Sequence, residues 1–536
     1  MSDLEPFCLD YNSTDYFSNI VADYLSRSNT LRPFYEHLPD LDGIKNAIEA
    51  RQHFETPRQL LVEVLNEQYK GLQLSAKLEQ HIQALADVKC FTITTAHQPN
   101  IFTGPLYFIY KILHAVKLAE ELALALPQFK FVPVYYMGSE DADLDEIGSL
   151  QLEGQPLIWN TKQTGAVGRM KVDKDFIRLI NAIEGQIGVL TNGLSLSNIF
   201  KEVYTIGKTI QQASLELVNI LFAEYGVVVL IPDNAKLKSA YRSVVQKELT
   251  QQFSHSIVAD TIQALKSNYK VQAAGREINL FYLLNDKRER IELIGENYIV
   301  QSLNLTFTQS EILVELEKYP DRFSANVILR GGFQETVLPN IAFIGGGGEL
   351  AYWLELKEVF HALQIPYPVL VLRNSFLMIT QAQKSKMNHL GIGYADLFKV
   401  PLTLLNEYVK RHGTDAMHIE HELMAIKTLY QQLTIKATQV DASLQNHVIS
   451  LEVKAEKRLK ELEKKLLRAE RLKFETVERQ INQLKNSLFP KSSLQERVEN
   501  FAGPYARFGS KWMDKIYAAS TGLNMQFVLI VIDEIK

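Results

Sequence analysis

The chain has 536 residues, of which 46% are apolar and 22% are charged. This balance is typical of globular proteins and excludes collagen-like, mucin-like and disordered chains. A formal net charge of −5 argues against a general nucleic-acid partner, and two cysteines, Cys8 and Cys90, cannot build a disulfide framework. The N-terminus has no signal-peptide pattern and no apolar run reaches about 18 residues, so the sequence predicts a cytoplasmic protein without membrane partners.

The first part of the chain changes from helical to mixed patterning near Cys90. Residues 1–88 show helical periodicity, with Leu61, Val64 and Leu65 at helical spacing. The run FTITTAHQP then predicts a buried strand, TGPLYFIYKILHAVKLAEELALAL a long helix, and FKFVPVYYMG a second buried strand. A strand, helix and strand in this order predict a parallel sheet with helices on its faces.

Further strands extend this pattern along the chain. We predict buried strands in GVVVLIPD, FSANVILRGG, NIAFIGGGGE and PYPVLVLRNS, shorter strands in SLQLEGQPLIWN and GAVGRMKVD, and an antiparallel insertion over 270–305. The predicted fold class is α/β, with one parallel core interrupted by two insertions. The predicted segments are an N-terminal helical segment (1–88), core pieces (89–150, 221–260 and 323–398), two insertions (151–220 and 261–322), a coiled coil (399–490) and a C-terminal segment that returns to the core (491–536).

From about residue 400 the strand patterns disappear. Apolar residues from Ile419 to Leu444 follow a 4-3 spacing, which indicates the seam of a coiled coil. A second run over 441–488 would be ~70 Å long if it were helical throughout. A turn near Thr438–Asp441, with Asp441 as N-cap, would make an antiparallel hairpin, although one uninterrupted helix fits the same pattern. Pro490 ends the run, and FVLIVIDEI predicts a last strand.

The ends of the predicted strands are the places to look for a site, because ligands bind beyond the carboxyl ends of parallel strands. The first strand ends in TTAHQPNIFTGP, which supplies His97, Gln98 and Asn100. Thr103 and Gly104 then open a helix, whose free backbone N–H groups would favour an anion. His97 would add a donor or proton carrier near neutral pH, although a strand-end histidine bonded to a carbonyl is the alternative.

The second strand ends in the acidic loop YYMGSEDADLDEIG. Glu140 and Asp141 lie closest to the strand, and such carboxylates can hold Mg²⁺ or a substrate ammonium group. The alternative is a solvated loop that caps a helix.

A glycine run separates another strand from a helix in IAFIGGGGELAYW. Four glycines would permit positive φ angles and close approach of a ligand to the backbone, and Glu349 would present a carboxylate at the first helical turn. The run is neither a P-loop nor a dinucleotide fingerprint, because no Gly-Lys-Ser/Thr follows it and Leu350 occupies the last glycine position. The candidate residues of this run are Gly345, Gly346, Gly347, Gly348 and Glu349.

Three further strand ends carry Asp233-Asn234, Arg330 and Arg373-Asn374. Arginine is the natural bidentate partner of a carboxylate or phosphate, whereas a structural ion pair is the alternative at each position. Cys90, in contrast, precedes a strand without a nearby histidine and is interpreted as a buried, inert thiol.

Several of these segments together resemble the bacillithiol-synthesis cysteine ligase family, BshC. The resemblance lies in TTAHQPNIFTGPLYFIYK, PVYYMGSEDADLDEI, FSANVILRGGFQETVLPNIAFIGGGGELAYWLELK, PVLVLRNS and LFPKSSLQERVENF. It implies a Rossmann-like core with two connecting-peptide insertions and an antiparallel coiled coil that supports a homodimer. It also implies a ligase that joins cysteine to the amine of glucosaminyl malate, the last step of bacillithiol synthesis.

The same resemblance implies roles for the candidate residues. The core is similar to class I nucleotidyl-transferring enzymes such as cysteinyl-tRNA synthetase, so His97 to Asn100 would hold nucleotide phosphate, with Asn100 in place of a second histidine. ATP with Mg²⁺ is expected to activate cysteine as an adenylate. The implied catalytic residues are His97, Asn100 and Glu140, and the implied binding residues are Gln98, Thr103, Gly104, Asp141, Asp233, Asn234, Arg330, Gly345, Gly346, Gly347, Gly348, Glu349, Arg373 and Asn374.

Two other functions stay open at this point. A different nucleotidyl or acyl transferase on the same core would use another amine acceptor. A scaffold built on the coiled coil would need no chemistry in the α/β core.

Overall fold

The computed structural model describes residues 6–273, 275–414 and 419–532. They form two compact units, the first comprising residues up to 377 together with 493–530, and the second comprising 378–492 with 531 and 532. Within these described ranges, no helix is both long and apolar enough to cross a bilayer.

The N-terminal segment is helical, as its periodicity predicts. Asp40 and Ser75 start two of its helices by accepting backbone N–H bonds from Gly43 and Leu78. The elements are strand β1 (Phe7–Leu9) and helices α1 (Asn19–Leu25), α2 (Leu41–Gln52), α3 (Arg58–Gln68) and α4 (Ala76–Ala84).

A five-stranded parallel sheet forms the centre of the first unit. Across the sheet the strands lie in the order Val369–Leu372, Asn340–Gly345, Cys90–His97, Lys130–Met137 and Val228–Leu230. The strands and the long helix that joins the first two are β2 (Cys90–His97), α5 (Tyr107–Ala125), β3 (Lys130–Met137), β6 (Val228–Leu230), β13 (Asn340–Gly345) and β14 (Val369–Leu372). The α/β prediction with a parallel core is therefore confirmed.

The sheet strands are buried on both faces, which explains their nearly continuous apolar runs. Phe91 and Ile93 of β2 pack with Leu118 of α5 and Ile44 of α2 in one apolar cluster. Residues of β13 and β14 complete this cluster. The helices thus cover the sheet as expected for parallel strands.

The segment between β3 and β6 contains the first insertion. The strand character predicted for SLQLEGQPLIWN is confirmed, and its two strands pair as an antiparallel hairpin. The strand predicted in GAVGRMKVD is wrong, because residues Val167–Arg169 form a single 3₁₀ turn. The regular elements are α6 (Leu144–Ile147), β4 (Ser149–Leu152), β5 (Gln155–Ile158), α7 (Lys174–Ile187), α8 (Gly193–Val203) and α9 (Ile210–Leu221).

The segment between β6 and β13 contains the antiparallel strands predicted over 270–305. The strand predicted in FSANVILRGG is mostly wrong, because only its first three residues are extended and Asn326 then caps a helix. The elements are α10 (Ala235–Ala240), α11 (Arg242–Gln251), α12 (Phe253–Leu265), β7 (Leu280–Leu284), β8 (Lys287–Arg290), β9 (Glu292–Ile294), β10 (Asn297–Val300), β11 (Leu305–Phe307), α13 (Gln309–Lys318), β12 (Phe323–Ala325) and α14 (Val327–Val337).

Short elements complete the first unit. The last strand pairs with β1 through Phe527–Leu529 and not with the five-stranded sheet, and residues 533–535 of the predicted strand lie outside the described residues. The remaining elements are α15 (Gly347–Trp353), α16 (Lys357–Leu363), β15 (Ser375–Thr380), in which the chain enters the second unit, and α22 (Gln495–Val498), α23 (Ala502–Phe508), α24 (Ser510–Ala519) and β16 (Phe527–Ile532).

The second unit is helical, and its two long helices pack side by side as a hairpin. The chain turns at residues 441–443, where the Asp441 carboxylate accepts the Ser443 N–H at 2.8 Å, so Asp441 stabilises the turn and is not the N-cap of the next helix. A short 3₁₀ segment over 472–474 interrupts the run predicted over 441–488, which ends at Leu488 before Pro490. The helices are α17 (Gln381–Leu390), α18 (Pro401–His412), α19 (Glu420–Val440), α20 (Leu444–Arg471) and α21 (Glu475–Leu488); residues 415–418 of the predicted helical run lie outside the described residues.

Candidate active site

The order of the strands defines where a ligand-binding crevice opens. β2, β3 and β6 follow one another in one direction across the sheet, whereas β13 and β14 lie on the other side of β2. The direction of winding therefore reverses between β2 and β13, and ligands of open α/β sheets bind at the carboxyl ends of such a pair. His97 ends β2, and Gly345 ends β13.

His97 lies at this reversal as a neutral imidazole with a defined tautomer. Its Nδ1 accepts the Gln98 N–H at 2.8 Å, so the proton is on Nε2. Burial, assisted by the positive charges of Lys111 and Arg373, holds the pKa of His97 well below its usual range. Among the described residues Nε2 is buried without a hydrogen-bond partner, which leaves one donor for an oxygen of a ligand.

Lys111 of α5 points to the same reversal point. Its ammonium group donates to the Ala96 carbonyl and forms an ion pair with Glu349 at 2.6 Å. Burial lowers the pKa of Lys111, and the Glu349 charge opposes that shift. Glu349 also accepts the Gly346 N–H at 2.8 Å, so one carboxylate joins the two sides of the crevice.

The glycine run does not use positive φ angles, contrary to the prediction. Gly346 has φ −73°, and Gly345, Gly347 and Gly348 are also outside the left-handed region. Space is open at Gly348, where a Cβ would meet no atom within 4 Å, whereas a Cβ on Gly347 would lie 3.1 Å from Val21. Backbone and ligand can therefore approach closely at this exposed turn.

The predicted helix start at Thr103-Gly104 is wrong. The N–H groups of Thr103 and Gly104 donate to Asn100 and Ile101, and α5 begins only at Tyr107. Phe102, Thr103 and Gly104 adopt φ angles of 49°, 70° and 65°, which form a tight left-handed loop. These N–H groups are therefore not available to an anion.

Asn100 and Thr103 line a separate small cavity. It has a volume of about 10 Å³, and Tyr204 and Gln98 also contribute to its lining. Asn100 Oδ1 and Thr103 Oγ1 are buried there without a partner among the described residues. A cavity of this size holds about one water molecule.

A second cavity opens beyond β3. Its volume is about 10 Å³ in this structure, and its polar lining includes Glu140, Asp141, Arg288 and Arg330. Among the described residues, Asp141, Arg288 and Arg330 form no ion pair with one another or with other side chains. Asp143, Asp145 and Glu146 of the acidic loop are exposed, and Asp143 caps α6. We call this second cavity the charged pocket.

Arg330 reaches the charged pocket from α14 and not from a strand end. Its guanidinium group donates to the Tyr352 hydroxyl and lies 5.8 Å from the centre of the Tyr136 ring. Arg288 comes from β8 of the second insertion and donates to Ser324 Oγ at 3.2 Å. Two guanidinium groups from different parts of the chain thus line the same cavity.

Glu140 and Asp233 belong to a buried chain of ion pairs next to the charged pocket. Lys238 pairs with Glu140 and lies 3.6 Å from Asp233, and Arg169 donates twice to Asp233 at 2.6 Å. Burial alone would raise the pKa of Asp233, but the bonds from Arg169 and the charge of Lys238 keep it below its usual range. Burial raises the pKa of Glu140, and Lys238 offsets only part of this shift. Asp233 is thereby engaged by protein partners.

A short segment of the first insertion fixes the loop that carries Glu140 and Asp141. Val167 donates to the Asp141 carbonyl at 2.8 Å, and Gly168 donates to the Ser139 carbonyl at 3.0 Å. A Cβ on Gly168 would lie 2.4 Å from the Ser139 oxygen, so this position requires glycine.

We expect Gly168→Ala to displace the 139–141 loop and to weaken ligand binding at the charged pocket by about tenfold or more, the effect of roughly 1.4 kcal/mol. Titration calorimetry with substrate measures this loss. Gly185→Ala is the matched control, because a Cβ there would meet no atom within 4 Å. Equal affinities of both variants would contradict the predicted strain.

Asn234 and Asn374 have structural roles and are not part of the crevice. Asn234 Oδ1 caps α10 by accepting the Lys236 N–H at 2.9 Å. Asn374 is fully buried, and its N–H donates to His114 Nδ1 at 3.1 Å. His114 Nε2 in turn donates to the Gly522 carbonyl at 2.7 Å. Both predicted ligand contacts are therefore replaced by bonds within the protein.

His114 makes stability depend on pH in a defined direction. Burial lowers the pKa of His114 from 6.5 to about 4, so between these values the unfolded chain binds the proton and the folded chain does not. We expect the free energy of unfolding to fall by about 3 kcal/mol from this residue as pH drops from 6.5 to 4. Urea unfolding at several pH values in this range gives the free energy of unfolding as a function of pH. We expect this dependence on pH to be weaker for His114→Gln than for the wild type, and unchanged for the surface variant His447→Gln. Parallel slopes for His114→Gln and wild type would refute this prediction.

Several side chains at these sites were missed by sequence reasoning. Lys111 had a detectable signal, since it is a single lysine within the apolar run YFIYKILHAV. Arg288 stands in the charged strand KRER, where no pattern separates it from its neighbours. Arg169, Lys238 and Glu496 likewise lack a local signal.

Comparison with known proteins shows the family of this chain. Residues 4–374 match the model for "Bacillithiol biosynthesis BshC, N-terminal Rossmann-like domain", and residues 376–532 match the C-terminal coiled-coil domain of the same proteins. The chain belongs to the BshC family. The resemblance inferred from its motifs is thereby confirmed, together with the Rossmann-like core and the coiled coil.

The similarity to other BshC proteins extends over nearly the whole length of the chain. A protein of Flavobacterium johnsoniae named "Putative cysteine ligase BshC" is 37% identical over 98% of this chain and 99% of its own length. Proteins with the same name from Flavobacterium psychrophilum and Cytophaga hutchinsonii are 37% and 38% identical, over 95% and 90% of this chain and 96% and 91% of their own lengths. The chain is accordingly an enzyme of the ligase class in bacillithiol biosynthesis, which argues against a scaffold without chemistry.

Proposed function

We propose that the chain joins the carboxyl group of cysteine to the amine of glucosaminyl malate, the last step of bacillithiol biosynthesis. The charged pocket carries this proposal. Glucosaminyl malate has two carboxylates and one amine, and the pocket offers two guanidinium groups, Arg288 and Arg330, with the carboxylate of Asp141. The two guanidinium groups complement the two carboxylates and Asp141 complements the amine, while Glu140 is paired with Lys238. Charge-assisted hydrogen bonds of this kind are strong.

The reversal point between β2 and β13 supports the activation of cysteine. A carboxylate does not condense with an amine in water, so it must first be activated, and we propose ATP as the activating substrate. The Nε2–H of His97 and the ammonium of Lys111 are donors suited to phosphate oxygens that gain charge during transfer. The exposed backbone at Gly348 would allow the nucleoside to approach closely.

Amide formation then follows with balanced bonds. The sugar nitrogen attacks the carbonyl carbon of the activated cysteine, a C–N bond forms, and the C–O bond to the phosphate of AMP breaks. The ammonium group must first lose a proton to expose its lone pair, and we assign the acceptance of that proton to Glu140, whose raised pKa makes it a better base. The second proton passes from the nitrogen to solvent as the amide forms. Asp141 holds the ammonium before that transfer.

The test is a reaction of the purified full-length chain with cysteine, glucosaminyl malate and ATP with Mg²⁺, followed by mass spectrometry. We expect the amide product together with AMP and pyrophosphate. Product with other amines but not with glucosaminyl malate would favour a different acyl transferase, and no product with any amine would refute the proposal. Arg288→Ala should raise KM for the sugar substrate by about 10–100-fold, as for a lost charged hydrogen bond, whereas the exposed Arg290→Ala on the same strand should not.

We further propose that the coiled coil forms a homodimer. Large apolar side chains remain exposed on both helices of the hairpin, including Ile435 and Val440 of α19 and Val453 of α20. Exposed apolar surface of this extent is typical of an association site. Sedimentation should show a dimer for the chain and a monomer for Ile435→Lys/Val453→Lys, while Val189→Lys, at an exposed residue of the first unit, leaves the dimer intact. A monomeric wild type would refute this proposal.

A further inference from the structure

Glu496 is a fully buried carboxylate from the short helix α22, far along the chain from the strand ends. One of its oxygens accepts from Arg373 Nη2 at 2.7 Å and from Ser375 Oγ at 3.1 Å. The other accepts the Phe376 N–H at 3.2 Å. Both oxygens are therefore bound, and the orientation of the carboxylate is determined by three donors.

Glu496 in turn determines where the Arg373 guanidinium lies. The second terminal nitrogen of Arg373 donates to the Asn374 carbonyl and to Ser375 Oγ, each at 3.1 Å. Its remaining nitrogen, Nε, lies 3.5 Å from where a Cβ on Gly346 would stand. The guanidinium N–H groups of Arg373 were predicted to bind a substrate anion. In the structure most of them bind protein groups that hold Arg373 in place.

The Arg373 guanidinium faces an aromatic stack that ends at His97. Its central carbon lies 5.1 Å from the centre of the Tyr107 ring. The Tyr107 ring stacks on the His97 imidazole at 5.2 Å, with an angle of 29° between the planes. Glu496, Arg373, Tyr107 and His97 therefore form one continuous chain of contacts.

The same C-terminal segment also holds the loop after His97. Asn500 Nδ2 donates to the carbonyls of Phe102 at 2.9 Å and Gly104 at 2.5 Å, which stabilises the left-handed loop. The backbone carbonyl of Glu499 accepts the Leu106 N–H at 2.8 Å immediately before α5. Two separate contacts from residues 496–500 thus act on the start of α5, which carries Tyr107 and Lys111.

We propose that Glu496 is a positioning residue for His97, acting through Arg373 and the Tyr107 ring. The role rests on the proposed function, since it assigns to Glu496 the alignment of the His97 Nε2–H donor for the reaction. It differs from a merely structural ion pair, which would affect stability alone. The structure supplies such a pair for comparison, since the side chains of Arg51 and Glu335 are fully buried and 2.7 Å apart. Glu335 also accepts from Asn340 Nδ2 at the opposite, amino end of β13.

The experiment compares Glu496→Gln with Glu335→Gln, each of which removes one buried negative charge at constant volume. The imidazole resonance of His97, assigned by its loss in His97→Asn, is followed in histidine-labelled full-length protein. We expect it to shift in Glu496→Gln and in Tyr107→Leu, but to keep its wild-type position in Glu335→Gln and in Tyr107→Phe, which retains the ring. An unmoved resonance in Glu496→Gln would overturn the proposal.

Kinetics provide the second measurement. We expect kcat of Glu496→Gln to fall on the order of 10–100-fold, as for a misaligned catalytic group, while Glu335→Gln keeps kcat despite a comparable loss of thermal stability. Equal losses of kcat in both variants would overturn the proposal. A wild type without ligation activity would instead refute the proposed function, and the resonance of His97 would still decide whether Glu496 positions it.

Discussion

Replacing Lys111 by methionine is expected to lower kcat/KM for ligation by a factor on the order of 100–1000, the usual effect of removing one donor that stabilises developing charge. Methionine keeps the apolar stem of the side chain but removes the ammonium group. Glu349 then loses its partner at 2.6 Å, so a carboxylate faces the crevice without compensation. An anionic ligand is repelled at the point where the wild type attracts it.

Lys117→Met is the matched control for this prediction. Lys117 lies on the same helix, and its ion pair with Glu121 is long, at 4.0 Å, and partly exposed, so its loss should have little effect. Steady-state kinetics of both variants, with circular dichroism to confirm folding, check the expectation. A folded Lys111→Met protein with wild-type kcat/KM would remove Lys111 from the site.

Replacing Arg51 by methionine is expected to reduce the free energy of unfolding by about 3–5 kcal/mol, the typical cost of leaving one charge of a buried pair uncompensated. Arg51 and Glu335 have no exposed side-chain surface. Arg51 also donates to the Glu335 carbonyl at 2.7 Å, so α2 and α14 are joined through this residue. Urea unfolding followed by circular dichroism measures the change.

The control and a double variant test the cause of this destabilisation. Lys45→Met removes an exposed ion pair with Asp42 on the same helix and should change stability by less than about 0.5 kcal/mol. The double variant Arg51→Met/Glu335→Leu should recover much of the loss, because no charge remains buried. A double variant no more stable than Arg51→Met would show that packing, and not charge, dominates at this position.

The parallel core was predictable because its signal is local. The run FTITTA followed by an amphipathic helix and FKFVPVYYM specifies a strand, a crossover helix and a strand, and both strands are buried as that pattern requires. FSANVILRGG misled the prediction because an apolar run of this length suits a strand or a buried helix equally. Asn326 decides the outcome by accepting the Ile328 N–H at 2.9 Å and starting α14.

The long apolar pattern after residue 400 favoured a hairpin with a turn near Thr438–Asp441 but did not exclude a single helix. The heptad spacing continues across the turn, so periodicity carries no information about the break. In the structure Asp441 is extended and α19 packs against α20, which buries part of each seam within the chain. The hairpin thus follows from packing between two segments and not from either one alone.

The sequence by itself determined the α/β class, the burial of the core strands and the presence of polar residues at their carboxyl ends, because hydrophobic periodicity and strand–helix order depend on neighbouring residues. Only the tertiary structure decided which of those polar residues meet. Lys111 pairs with Glu349 across 238 residues, Arg373 with Glu496 across 123, and Arg51 with Glu335 across 284. The partner of a buried charge is set by how helices that are distant in the sequence pack around the sheet, and no local pattern records that packing.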